Sequence, residues 1–154
     1  MPVIHDRSSL KIDDNLADLD LVTAAFETCP DVDLITHDHA PTALQWLEAQ
    51  ERLSRLPHLV LLDLHMPGMD GLTWLHALQH HPELHQLPVL LYSLTPPELQ
   101  EQNVTYPHLC GCWQKPMTFS EMQVQATHLC EIWEHDHLFT PAALRVPLVS
   151  TPVV

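Results

Sequence analysis

The sequence predicts an α/β domain built on a parallel sheet, and three observations carry that reading. Leu59, Val60, Leu61 and Leu62 form a short, wholly apolar run, as a strand covered on both faces requires. The run ends in Asp63, after which Pro67, Gly68 and Gly71 break the chain before Leu72, Leu75 and Leu78 recur at helical spacing. The same order appears earlier: Leu10, Lys11 and Ile12 lead into Asp13 and Asp14, then into a segment with Leu19, Val22 and Phe26 on one face. A carboxylate is costly to bury, so Asp63 belongs at the carboxyl end of its strand, facing a crevice. Open parallel sheets place their ligand chemistry at that edge.

The elements follow in chain order. Residues 1–9 read as a loose N-terminal arm. Leu10–Asp13 is the first strand, weakly apolar because Lys11 interrupts it. Asn15–Cys29 is the first helix, stopped by Pro30, and Val32–His37 is a second strand with Leu34 and Ile35 at its core. Pro41 opens a helix at a position that tolerates its missing N–H, and Ala43, Leu44, Trp46 and Leu47 continue it. Glu51–Pro57 links this helix to the central strand. Asp70 is a good cap for a third helix, which runs to His81 before Pro82. Pro88–Tyr92 (PVLLY) is another apolar strand and ends in Ser93. The stretch 94–110 is irregular, with at most a short helix in PPELQEQ. Cys110–Pro116 (CGCWQKP) holds the last strand and puts Lys115 at its end. Thr118, with Glu121 three residues on, makes a capping box for a final helix reaching about His137. Its stripe of Phe119, Met122, Ala126, Leu129, Ile132 and Trp133 reads as core. Residues 140–154 form an apolar tail containing Pro141, Pro147 and Pro152, which either docks on its own domain, docks on a second copy or stays disordered.

Bulk properties narrow the function. A chain of 154 residues predicts one domain, able to bury about 70% of its unfolded surface. A formal charge of −14 with only six Lys and Arg argues against nucleic acid and against an anionic membrane. A basic protein partner fits that charge, although a solvated acidic surface explains it as well. Apolar runs fall short of the roughly 20 residues of a membrane helix. Residues 1–9 lack the apolar core of a signal peptide, so a cytoplasmic protein is expected. The four Cys, at 29, 110, 112 and 130, have no CxxC spacing, and reduced, mostly buried thiols are expected.

A lone Asp after an apolar run is usually a cap or turn residue. The second acidic site changes that reading of Asp63. If the two strands lie side by side, Asp13, Asp14 and Asp63 converge on one crevice. Three carboxylates there repel, and a hard divalent cation such as Mg²⁺ holds them together. Ser93 and Lys115 end two further strands and supply a hydroxyl and an ammonium for an anion. Such a set describes a phosphoryl-accepting site with Asp63 as nucleophile, forming an aspartyl phosphate. Mg²⁺ and Lys115 would neutralise charge on the transferring group.

Taken together, IDDN, LLDLHMPGMDG, the hydroxyl after PVLLY, and KP resemble the receiver domain of two-component response regulators. The intervals of 30 residues from Asp63 to Ser93 and 22 from Ser93 to Lys115 are those expected in that family, and the resemblance runs from Leu10 to Trp133. It implies a doubly wound, five-stranded parallel sheet of the flavodoxin-like kind, occupying residues 10–139. It implies phosphorylation at Asp63 by a sensor histidine kinase. Asp13, Asp14 and Asp63 would hold Mg²⁺ with the backbone carbonyl of His65, and Ser93 and Lys115 would sense the phosphoryl group. Such a domain is a signalling protein rather than an enzyme, catalysing at most its own phosphorylation and slow dephosphorylation. The Trp at the end of the last helix and the apolar tail are similar to small single-domain regulators paired with bacterial phytochromes. That narrower likeness implies a bacteriophytochrome partner and a homodimer through the last strand and last helix.

The sequence departs from the family pattern in places. Ser93 stands where Thr is usual and keeps the hydroxyl. Leu94 is bulky where a small residue is commoner, and predicts hindered access to the phosphoryl group. Cys112 stands three residues before Lys115, where the family often has an aromatic that swings inward. Trp113 should face the opposite side of the strand. Leu94 and Cys112 support an alternative, a receiver-like adaptor that works without phosphorylation; the complete set of Asp13, Asp14, Asp63 and Lys115 argues against it. A soft-metal centre from His108, Cys110 and Cys112, or from His80, His81 and His85, is disfavoured. Alternating strand residues give two ligands on one face, and a structural site needs four. His37 and His39 read as surface residues. A hydrolase of the dehalogenase type would want an acid two residues after Asp63, where His65 stands.

Overall fold

The computed structural model describes residues 7–29, 32–66, 68–94 and 106–134. Five strands, β1 (Arg7–Ile12), β2 (Val32–His37), β3 (Leu59–Asp63), β4 (Val89–Ser93) and β5 (Leu109–Gln114), form one sheet in the order β2-β1-β3-β4-β5. Every pairing is parallel. Four helices are described: α1 (Leu16–Ala25), followed by a 3₁₀ turn at Phe26–Thr28, then α2 (Ala40–Arg52), α3 (Gly71–Gln79) and α4 (Phe119–Glu134). The expected doubly wound, five-stranded sheet is present.

Alternation along the strands builds two cores. Leu10 and Ile12 of β1, Val60 and Leu62 of β3 and Leu91 of β4 face α2 and α3. Leu59, Leu61, Leu90 and Tyr92 face α1 and α4, where Val22, Met122, Ala126 and Leu129 meet them. With helices on both sides, β3 and β4 are buried at every position, which explains why they read as unbroken apolar runs.

The helix signals act as expected. Asn15 caps α1 by accepting from the Asp18 N–H at 3.1 Å, and Asp70 caps α3 through the Thr73 N–H at 2.8 Å. Thr118 and Glu121 form the reciprocal capping box of α4, at 3.1 and 3.2 Å. Pro41 lies in the first turn of α2. In α3, however, Leu72 is exposed and Trp74 is buried in its stead, its indole N–H donating to the Ala40 carbonyl at 3.0 Å.

Several boundaries move. β1 starts at Arg7, three residues before the expected Leu10, so the assumed arm of residues 1–9 overlaps a strand. The ladder to β2 (Arg7 with Val32, Ser8 with Asp33) extends it, and Ser9 Oγ satisfies itself on the Leu59 carbonyl at 3.2 Å. The α2 helix runs to Arg52, into the expected link. Phe119, at the start of the α4 stripe, is exposed, whereas Met122, Ala126, Leu129 and Ile132 are core. The short helix expected in PPELQEQ, the tail at 140–154 and the remainder of the arm lie outside the described residues.

Two corrections concern cysteine. Cys29 and Cys130, expected as thiols, form a disulfide between the end of the α1 turn and α4, across 101 residues. A test for CxxC pairs sees only neighbours in sequence, and these two cysteines meet only once α1 and α4 share a face. In β5 a register shift opposite Val89 and Leu90 inserts one extra residue. Cys110 therefore falls in the core under α1 and α4, and Cys112 in the other, so the two do not share the one face that strict alternation along the strand gives. Trp113 does lie opposite Cys112, as expected, with its ring edge-on to Tyr92 at 6.1 Å.

Candidate functional site

The carboxyl ends of β1, β3, β4 and β5 meet at one edge. Pairing of Ile12 with Leu62 brings the residues that follow them, Asp13 and Asp63, side by side. Pairing of Asp63 with Tyr92 sets Ser93 one step beyond, and the Lys115 N–H donates to the Ser93 carbonyl at 2.8 Å. Parallel register alone thus collects acids, hydroxyl and ammonium that are up to about a hundred residues apart.

Asp63 is 2% exposed and Asp13 is fully buried. Carboxylate oxygens of Asp13, Asp14 and Asp63 lie within 4.8 Å of one another, and Asp14 is the exposed member. Lys115 Nζ sits among the acids, 3.2 Å from Asp63 Oδ2, 3.2 Å from Asp13 Oδ2 and 2.8 Å from Asp18 Oδ2. The other Asp63 oxygen, Oδ1, accepts from the His65 N–H at 3.3 Å. Ser93 Oγ lies 3.4 Å from His65 Nε2.

Two residues of this constellation escaped the sequence reading. Asp18 holds Lys115 from the first turn of α1; its signal was an acid one turn past the cap Asn15. Lys11 stands out in the sequence only as an interruption of β1. It is 2% exposed, with Nζ 3.4 Å from Asp13 Oδ2 and 4.6 Å from the centroid of the Tyr92 ring. Residues two apart on a strand share a face, so Lys11 and Asp13 could have been paired from spacing alone.

Electrostatics divide the two buried acids. Burial raises the Asp63 carboxyl above the usual range, and the Asp13 charge raises it further, against Lys115 and Lys11. At Asp13 burial also acts upward, but Lys11, the Asn15 N–H and Lys115 outweigh it and hold the carboxyl below its ordinary value. Lys115 is raised despite burial, because Asp18, Asp13 and Asp63 all favour the ammonium.

The site fits a hard divalent cation. Its donors are three carboxylates, the oxygen set Mg²⁺ and Mn²⁺ prefer. Asp13 Oδ2 is buried and accepts no hydrogen bond; Lys11 and Lys115 reach it only as ion pairs.

The connection from β3 into α3 depends on Gly71. Its N–H donates to the Leu64 carbonyl at 2.9 Å, and an added Cβ would lie 2.6 Å from the Asp63 carbonyl oxygen and 2.7 Å from Leu64 Cα. Both neighbours are backbone and cannot swing aside. Gly71→Ala is expected to destabilise the protein by about 1–3 kcal/mol, read as a lower urea midpoint at unchanged slope. An unchanged midpoint would show that the loop carrying Asp63 yields freely.

Of the expected site residues, Asp13, Asp14, Asp63, Ser93, His65 and Lys115 all lie at this edge. Leu94 is 58% exposed, so its side chain stands mostly in solvent rather than packed over Asp63. His39 is exposed as expected, whereas His37 is half-buried against Trp46, with ring centroids 5.4 Å apart. In the His80, His81 and His85 group, His80 and His85 lie against carbonyls one turn back, and His81 Nε2 pairs with Glu48 of α2 at 3.2 Å.

Solved structures share this architecture. The phosphorylated cyanobacterial phytochrome response regulator RcpA superposes with a TM-score of 0.67 at 22% identity, covering 84% of this chain and 95% of its own. The Mn²⁺-bound form of response regulator Rcp1 gives 0.63 at 24% identity, over 82% and 94% of the two chains. The bacteriophytochrome response regulator AtBRR gives 0.62 at 26% identity, over 85% and 95%. No curated protein matches the chain. The family model of the response regulator receiver domain matches residues 10–127, well over half of the sequence, and the chain therefore belongs to the response regulator receiver domain family.

Proposed function

We propose that this chain is a single-domain response regulator that accepts a phosphoryl group on Asp63 and signals through protein contacts or onward phosphate transfer. One observation carries the reading. A buried carboxylate at the central strand's carboxyl end faces an ammonium at 3.2 Å, with two more acids close enough to share one cation.

The chemistry follows from the positions. An Asp63 oxygen attacks phosphorus, the bond from phosphorus to its donor breaks, and the donor leaves with the electron pair. Asp63 must be ionised to attack, yet burial and Asp13 favour its protonated form. Lys115 opposes both and keeps a charge beside the arriving phosphoryl oxygens. A bound Mg²⁺ supplies further neutralisation at the same edge. Asp13 and Asp14 would hold it with Asp63 and the His65 carbonyl. Ser93, one residue past the Asp63 pairing partner, is placed to donate its hydroxyl to a phosphoryl oxygen.

The phosphoryl donor in this reading is a sensor histidine kinase. The phytochrome-associated regulators among the structural relatives support a bacteriophytochrome as that kinase. A homodimer through β5 and α4 fits the position of β5 as an outer strand and the exposed Val124 on α4. Among the described residues no helix is long and apolar enough to cross a membrane.

The test is mass spectrometry after incubation with acetyl phosphate and Mg²⁺. Wild type should gain one phosphoryl group; Asp63→Asn, or wild type with a chelator, should gain none. Absence of labelling in wild type would favour the adaptor reading, which Cys112 still supports through the missing aromatic.

A further inference from the structure

Lys11 is the feature that the receiver reading leaves unused. Charged side chains are almost never buried this completely unless paired. This one lies inside the sheet layer, on the side of α1 and α4, with Asp13 on one flank and the Tyr92 ring on the other. Its ammonium reaches the Asp13 oxygen, Oδ2, that is also 3.2 Å from Lys115 and otherwise accepts no hydrogen bond. Lys115 has other partners and a side chain 17% exposed, so it can move away. Lys11 is held more tightly: β1 fixes its backbone, and its side chain is 3% exposed beside the Tyr92 ring.

We propose that Lys11 is a built-in cation on Asp13 that competes with the divalent ion for the same carboxylate and sets a low metal affinity at this site. The inference rests on the proposal that Asp13, Asp14 and Asp63 form the metal site. The physical reasoning is short. Four carboxylates, Asp13, Asp14, Asp18 and Asp63, face two ammoniums, Lys11 and Lys115. A dication that takes Asp13 Oδ2 shares it with the Lys11 ammonium 3.4 Å away, a charge that burial disfavours and that Asp13 and Asp63 support, in a setting where solvent screens little. Without that charge only Lys115, 3.2 Å away, competes with the ion for this carboxylate. With it, the acidic charge of the apo site is offset in part and the site loads only at higher metal concentration, so phosphorylation would track the divalent concentration over a higher range.

The probe is Mn²⁺ alone, with free ion counted by electron paramagnetic resonance and the fold checked by circular dichroism. Lys11→Met keeps length and apolar packing against Tyr92 while removing the charge; Lys11→Gln is the polar alternative. Both are expected to bind Mn²⁺ about tenfold or more tightly than wild type, since one charge at this range shifts an ionic equilibrium by roughly one to three powers of ten. Asp14→Asn should weaken binding in either background. If wild type binds Mn²⁺ and the Lys11 variants bind it no more tightly, Lys11 is only a packed cation and the inference fails alone. If neither wild type nor variant binds Mn²⁺, the metal site itself falls and takes the inference with it. Should both variants fail to fold, the wild-type Lys11 ¹³Cε resonance under Mg²⁺ titration decides. Movement in step with saturation supports competition, and a stationary resonance at saturation overturns it.

Discussion

Replacement of Lys115 by alanine is expected to slow acetyl-phosphate labelling by about a hundredfold or more, the scale of losing one preorganised charge donor. The same change should destabilise the metal-free protein by about 3 kcal/mol, since it strips a shared cation from buried acids. Lys115 lies 3.2 Å from both Asp13 and Asp63 and 2.8 Å from Asp18. After its removal Lys11 remains on Asp13 alone, and Asp63 faces the Asp13 charge without a cation in contact. Which effect dominates depends on the metal. A dication at the three carboxylates replaces much of the lost Coulomb attraction, so saturating Mg²⁺ should recover a large part of the stability. It should not recover the labelling rate, because in the proposed reaction Lys115 acts on the phosphoryl group from a position of its own. Urea unfolding with and without Mg²⁺, beside labelling rates, separates the two. Loss of stability with no loss of rate would confine Lys115 to a structural role.

The sequence made the backbone of this site readable and its electrostatics only partly so. β3 and β4 are covered on both faces, so their four-residue apolar runs were unmistakable, and the acid and hydroxyl that ended them marked the candidate site's edge. Parallel pairing then did the assembling: once Leu62 aligns with Ile12, Asp63 and Asp13 must be neighbours. What stayed hidden depended on which helix covers which face. Lys11 looked like a flaw in β1 because its partner, the Tyr92 ring, belongs to a strand two places away in the sheet. Trp74 replaced Leu72 in the core because the crossing of α2 and α3 offers the Ala40 carbonyl to an indole. Cys110 changed faces because one extra residue in β5 inverts the period-two pattern, and no local signal fixed where that residue would sit. The half-burial of His37 has the same origin, since Trp46 comes over it from α2.

Reduction of the Cys29–Cys130 bond is expected to have the other large effect, on stability rather than chemistry. The bond closes a loop of about a hundred residues and joins the two helices that cover one face of the sheet. In the chain-entropy account, opening a loop of that length releases about 4–5 kcal/mol of restraint on the unfolded chain. For a domain of this size that amounts to roughly 10 °C or more in the thermal midpoint. Both sulfurs belong to buried residues packed with Val22, Phe26 and Leu129, so the reduced thiols remain close and the fold should persist, only less stable. Calorimetry of the oxidised protein, of the reduced protein, and of a Cys29→Ala, Cys130→Ala double variant should give one high midpoint and two similar low ones. Thiol titration in denaturant without reductant should find only Cys110 and Cys112 reactive. Four reactive thiols, or equal midpoints before and after reduction, would remove the cross-link from the account of this fold. The proposed acceptor edge should be untouched in either state, because the bond lies on α4 and the α1 turn while the acids are held by strand register. Labelling of the reduced protein at a temperature well below its midpoint should therefore match that of the oxidised one. A large change in rate would mean instead that the packing of α1 and α4 reaches Lys115 through Asp18, the side chain of α1 that holds its ammonium.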